Sequence, residues 1–162
     1  MKFLAIVIEI FLASTISTPV LGQISPDSIP FQEFAVEQIY RDAPSPVDLD
    51  SDPSARQFRR IIEPAATVGP NFAGRYTIVS WGCGTACQEI AIVDAETGQV
   101  YLQPIRSEVG IQFQLESRLL VVNPPQNIRN LYGAIAPQGL ATRYYLWDNN
   151  RLQEIHPSKL DR

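Results

Sequence analysis

The chain has 162 residues, 13 Lys and Arg against 17 Asp and Glu, a net charge of −4 and only two cysteines. That mild acidity argues against a dedicated nucleic-acid binder, which carries a basic footprint. Two cysteines are too few for a fold built on disulfides, and a chain of this length with 45% hydrophobic residues can bury an ordinary single-domain core without them.

In chain order, the first predicted element is a secretory signal over residues 1–22. Lys2 supplies the positive charge, Phe3 to Ala13 is an apolar run, and Val20-Leu21-Gly22 places small residues at the positions a signal peptidase reads. Cleavage is expected after Gly22. Glu9 interrupts the apolar run, which is about half the ~20 residues a spanning helix needs, so stable membrane insertion after cleavage is not expected. Removing residues 1–22 from the 162 leaves 140, read as one globular domain, 23–162.

Residues 23–53 form a proline-rich lead-in with Pro26, Pro30, Pro44, Pro46 and Pro53. Phe31, Phe34, Val36, Ile39 and Tyr40 predict one short strand packed on the body, and residues 41–53 read as a turn-rich surface loop whose aspartates, Asp42, Asp48, Asp50 and Asp52, are explained by solvation. A helix follows. Asp52 or Ser54 can cap it, Pro53 suits its first turn, and Phe58, Ile61, Ile62 and Ala65 recur at helical spacing. Pro64 predicts its end near Glu63, since proline disfavours helical backbone in the preceding residue. Arg56, Arg59 and Arg60 lie opposite the apolar stripe and read as a solvated face paired to Glu63; an anion or partner contact is the alternative.

From Phe72 onward the pattern has period two, and residues 54–162 read as that helix followed by a β-domain. Strands are predicted over 75–81, 88–94, 99–103, 110–115, 118–123, 141–147 and 152–155, with Asp94-Ala95-Glu96-Thr97-Gly98 and Asp148-Asn149-Asn150 as hairpin turns. The prolines and glycines between residues 124 and 139 predict a loop. Short connections force antiparallel neighbours. The fold class is therefore mainly β: an antiparallel meander of about seven strands, as sandwich or open barrel, with one N-terminal helix.

The most distinctive stretch is Trp81-Gly82-Cys83-Gly84-Thr85-Ala86-Cys87, holding both cysteines in a glycine-flanked loop. In an exported protein the plain reading is a local disulfide between Cys83 and Cys87, with Gly82 and Gly84 supplying positive φ angles for the tight ring. Two alternatives stand beside it. A redox pair would want two-residue spacing and a basic neighbour to lower a thiol pKa. A zinc site would want further Cys or His ligands, and His156 is the single histidine. The loop lacks the Lys-Ser/Thr ending of a phosphate-binding loop. A lone His156 beside Pro157 also argues against a Ser-His-Asp or Cys-His nucleophile and reads as a surface residue. Trp81, Tyr144, Tyr145 and Trp147 are either sheet-packing residues or an exposed aromatic patch.

Asn71-Phe72-Ala73-Gly74-Arg75-Tyr76, then Trp81-Gly82-Cys83-Gly84-Thr85-Ala86-Cys87, then Asp94 through Thr97-Gly98 resemble a family of small exported bacterial proteins. Its pattern is Asn-Phe-Ala-Gly-X-Tyr, Trp-Gly-Cys-Gly-X-X-Cys and Asp-X-X-Thr-Gly, and the likeness spans most of residues 23–162. The cysteine motif is distinctive; the Asp-led turn is common. A basic or His residue is the family's habit where Arg75 stands. The resemblance implies export and the identity of the loop, and no particular reaction.

The functional expectation is a non-catalytic periplasmic or secreted domain. It would present Trp81, Gly82, Gly84 and Thr85, closed by Cys83–Cys87, to an envelope or extracellular protein or ligand. No catalytic residue, cofactor or metal is assigned. The rival expectation is a thiol–disulfide redox protein, or another envelope enzyme, acting through Cys83 and Cys87.

Overall fold

A computed structural model describes residues 29–156; the predicted signal and cleavage site, and the segment 157–162, lie outside the described residues. The period-two pattern produces seven antiparallel strands: β1 (Tyr76–Gly84), β2 (Cys87–Asp94), β3 (Val100–Ser107), β4 (Ile111–Gln112), β5 (Leu119–Val122), β6 (Arg143–Asp148) and β7 (Arg151–Ile155). They form two open sheets, in the orders β1-β2-β3 and β4-β5-β6-β7. The architecture is mainly β, as the alternation requires.

Alternation assigns each residue to a layer. Ile78, Ile90, Ile92 and Ile105 of the first sheet meet Leu120, Val122, Tyr145 and Trp147 of the second in one core, with Phe72 fully buried among them. The opposite face of the first sheet, Val79, Ala91, Val93 and Val100, is covered by a 3₁₀ turn (Ala55–Phe58) that continues into helix α1 (Arg59–Ala66) through Ala55, Ile62 and Ala66. The opposite face of the second sheet, Leu119 and Val121, is covered by Phe31, with Ile29 and Phe34 beside it. Four layers thus bury both faces of both sheets.

Several local expectations are corrected. The helix runs through Pro64 to Ala66 instead of stopping at Glu63. The missing proline N–H costs one bond to the Arg60 carbonyl, but both residues lie on the exposed side, where water substitutes, and burial of Ala66 against the sheet favours continuation. Phe31–Phe34 is a 3₁₀ turn and not a strand, with a single bridge from Ala35 to Ser117. Within the predicted 110–115 strand, Ile111 to Leu115 keep their alternating exposure, yet only Ile111 and Gln112 pair with β5. Pro125–Tyr132, expected as loop, is a second helix, α2, which starts on Pro125 and ends before Gly133 at φ +66°.

The loop before α1 is less idle than its composition suggests. Asp48 bridges Gln99, the Ser51 hydroxyl accepts the Val100 N–H at 2.8 Å, and the Asp52 carboxylate accepts the Leu102 N–H at 3.1 Å. This loop therefore seals the outer edge of β3. The outer edge of β1 is sealed over its first half: Tyr76 exchanges bonds with Phe72, and the Asn71 amide both accepts from the Ile78 N–H (2.8 Å) and donates to the Ile78 carbonyl (3.2 Å). No helix of the described residues is long and apolar enough to cross a membrane.

Candidate functional site: the tip of the first hairpin

β1 and β2 pair from Tyr76↔Asp94 through Gly82↔Gln88, and the ladder then shifts so that Gly84 faces Cys87. Cys83 is the extra residue of this bulge. Only Thr85 and Ala86 lie between the strands, so the predicted cysteine loop is a hairpin tip with a two-residue turn. The Cys83 and Cys87 Cα atoms are 5.1 Å apart, within the range a bridge needs, and the two sulfurs are joined. The disulfide is thereby present, and its sulfurs are unavailable as metal ligands.

Positive φ angles fall at Gly84 (+137°) and Ala86 (+50°). Gly82 does not take one, contrary to expectation. It stays in the strand, paired with Gln88, and the chain reverses beyond the bulge, at Thr85 and Ala86. Ala86 carries its angle at a cost glycine would avoid, and the ring it closes holds it there. Gly82, Cys83, Gly84, Thr85 and Ala86 are all exposed, whereas Trp81 is half-buried.

Trp81 is anchored rather than displayed. Its ring lies 4.5 Å from that of Phe58 at an interplanar angle of 32°, which fixes the root of the tip to the 3₁₀ turn leading into α1. Sequence reading missed this role of Phe58. Its signal was weak, because Phe58 also completes the helix stripe. The other aromatics are dispersed: Tyr145 and Trp147 are in the shared core, and Tyr144 packs with the Phe31 cluster. They form no patch with Trp81.

At the far end of this hairpin Arg75 pairs with the buried Asp94 at 2.8 Å and with Glu96 at 2.6 Å. The Asp94 carboxylate also accepts the Glu96 N–H, so Asp94 holds the turn together. The helix arginines are surface groups. Arg59 pairs with Glu63 at 3.0 Å as expected, but Arg56 pairs with Asp50 instead. His156 is exposed just beyond β7, and no three His, Cys, Asp or Glu among the described residues are grouped to hold a metal.

Tyr101 and Tyr145 are perturbed. Burial raises Tyr101 above its ordinary 10.0, reinforced by Tyr76 and Asp94 and opposed by Arg75. Burial also raises Tyr145, with Glu154 adding and Arg143 opposing. The folded state therefore favours the neutral phenols. Their contribution to stability is complete below about pH 10 and is lost as the pH climbs through the raised folded values, because the unfolded chain releases those protons first. Tyrosinate absorbance should accordingly show a delayed fraction in the folded protein that disappears in denaturant.

Replacing both cysteines by serine should cost about 2 kcal/mol, the value for so short a closed loop. The fold should survive, since neither cysteine belongs to a core cluster. Urea denaturation of the oxidised protein and the double variant measures the difference. Comparisons with protein-family models, with curated proteins and with solved structures found no match to this chain.

Proposed function

We propose that this is an exported, non-catalytic binding module that presents the disulfide-closed Trp81–Cys87 tip to an envelope or extracellular partner. The observation that carries the reading is where the bridge lies. It adds little to a domain already cored on both sides of both sheets, yet it fixes the shape of five exposed residues at the end of one hairpin. Ordering such a segment in advance lowers the entropic cost of binding. Trp81 and Phe58, the aromatics nearest the tip, stack to brace its base.

The reading includes secretion through residues 1–22 and membership of the exported family whose cysteine motif the chain resembles. Expression in a bacterial host with N-terminal sequencing tests that part: Gln23 is the expected first residue, and Met1 on membrane-bound protein overturns it. For binding, a photo-crosslinker at Thr85 should capture an envelope or extracellular species in the oxidised protein. That product should fade when Cys83 and Cys87 are serine. Equal capture by both proteins, or none by either, removes the tip from the function.

A second reading draws on the exposure of Cys83, which leaves the bridge open to thiol attack. A redox protein would show ready reduction at a mild potential and one reduced thiol with a pKa far below about 8.5. Alkylation of the reduced protein across pH separates the two. Two ordinary thiols support the binding module, and one acidic, fast-reacting thiol overturns it.

A further inference from the structure

An edge strand exposes alternate N–H and C=O groups, and native sheets blunt such edges to prevent stray pairing. In the first sheet several of the outward N–H groups are dealt with. Val100 and Leu102 of β3 are taken by Ser51 and Asp52, and the next outward position is Pro104, which has no N–H. On β1, Tyr76 is taken by Phe72 and Ile78 by Asn71. The outward groups alternate, so the next two residues in phase are Ser80 and Gly82. Both are exposed, and neither has a bond on its outer side among the described residues.

We infer that the Ser80–Gly82 edge of β1 is the docking line of the tip, and that it takes an extended, uncharged segment of a partner polypeptide as an added strand. This rests on the reading of the tip as a binding site and supplies its mode of recognition. Hydrogen-bond complementarity decides the partner's chemistry: two N–H and two C=O groups in strand register match another extended backbone. Charge decides its composition. From Tyr76 to Cys87 the chain has no Asp, Glu, Lys or Arg, and thus none of the charges by which edge strands repel neighbours. Ser80 and Gly82 are small enough for close approach. A β-branched or aromatic residue of the partner opposite Trp81 would pack beside the indole already held by Phe58.

A second copy of this chain fits less well. In an antiparallel pair centred on Trp81, the partner's Gly84 falls opposite Ile78, where Asn71 already occupies the edge. The guest strand must therefore pair over the short Ser80–Gly82 stretch and turn away or end at Asn71.

The test uses the oxidised protein and a synthetic peptide, Thr-Val-Thr-Tyr-Thr-Val-Thr, with free amides or with alternate amides N-methylated. The free peptide should bind saturably, slow hydrogen exchange at the Ser80 and Gly82 amides, and shift the resonances of residues 79–83. N-methylation should weaken binding about tenfold or more for the lost hydrogen bonds. Ser80→Pro, which removes one outward N–H, should weaken it similarly while the near-ultraviolet circular dichroism stays unchanged. If that variant misfolds, the N-methylated peptide still decides. Equal binding of both peptides, no binding of either, or self-association through β1 overturns the proposal. Shifts confined to Thr85–Cys87 also overturn it, while leaving the tip itself as a binding site.

Discussion

Phe72→Ala should destabilise the protein by about 3–5 kcal/mol, the range for emptying a buried phenylalanine site. Phe72 is completely inaccessible and stands just before β1, so its ring joins the strand residues that fill the space between the sheets. It meets Phe113 edge-on at 6.1 Å and Trp147 at 6.4 Å, and those rings belong to segments that share no strand pairing with β1. The vacated volume cannot collapse easily, because its walls are strands held in register. A typical domain is stable by only about 5–15 kcal/mol, so this one change removes a large share. The urea midpoint should fall with an unchanged slope. A loss under about 1 kcal/mol would show that the sheets do not pack through this ring.

Gly98→Ala should cost about 2–4 kcal/mol, from the left-handed backbone penalty together with a lost hydrogen bond. Gly98 has φ +79°, and an added Cβ would lie 2.0 Å from the Pro46 carbonyl oxygen. That neighbour is backbone and cannot swing aside. Relief requires the 45–48 strand of loop to retreat, which breaks the bond from the Asp48 N–H to the Gly98 carbonyl (2.8 Å) and strains that from the Ser45 N–H to the Ala95 carbonyl (2.8 Å). Gly139→Ala is the internal control: its φ is +87°, but nothing lies within 4 Å of the added carbon. The excess of Gly98 over Gly139 isolates the steric part. Amide exchange should quicken at Ser45 and Asp48 in the first variant alone. Equal costs for the two substitutions would refute a contact role for Gly98.

The strands and the bridge were legible because their signals are periodic or local. Ile90 and Ile92 alternate with Ala91 and Val93, and burial on both faces follows directly from that run. Cys83 and Cys87 lie close enough in sequence that the hairpin brings them together. Residues 113–115 show the limit of periodicity: Phe113 points inward as its phase requires, although no ladder forms around it. α2 escaped because Pro124 and Pro125 read as loop, while the same Pro125 is also the residue type favoured at a helix's first position. Asp52 was read as a solvated loop residue or a helix cap, and its carboxylate does accept the Ser54 N–H, but its bond to the edge of β3 some 50 residues away leaves no pattern around itself. Gly82 was legible only as part of the cysteine loop and Ser80 not at all; their shared edge stands out from what Asn71, Ser51 and Asp52 do to the outward N–H groups of Ile78, Val100 and Leu102.

The Ser117 hydroxyl donates to the carbonyl of Phe31, 86 residues earlier, and accepts the Leu119 N–H. The outermost layer of the second sheet is therefore synthesised well before the strand it covers. At about 5–20 residues per second of synthesis, Phe31 waits on the order of 4–17 seconds before its hydrogen-bond donor exists. Throughout that interval Ile29, Phe31 and Phe34 have no native surface to cover. The rate of reaching the native state should thus be governed by this long closure and not by the quick local pairing of β1 with β2.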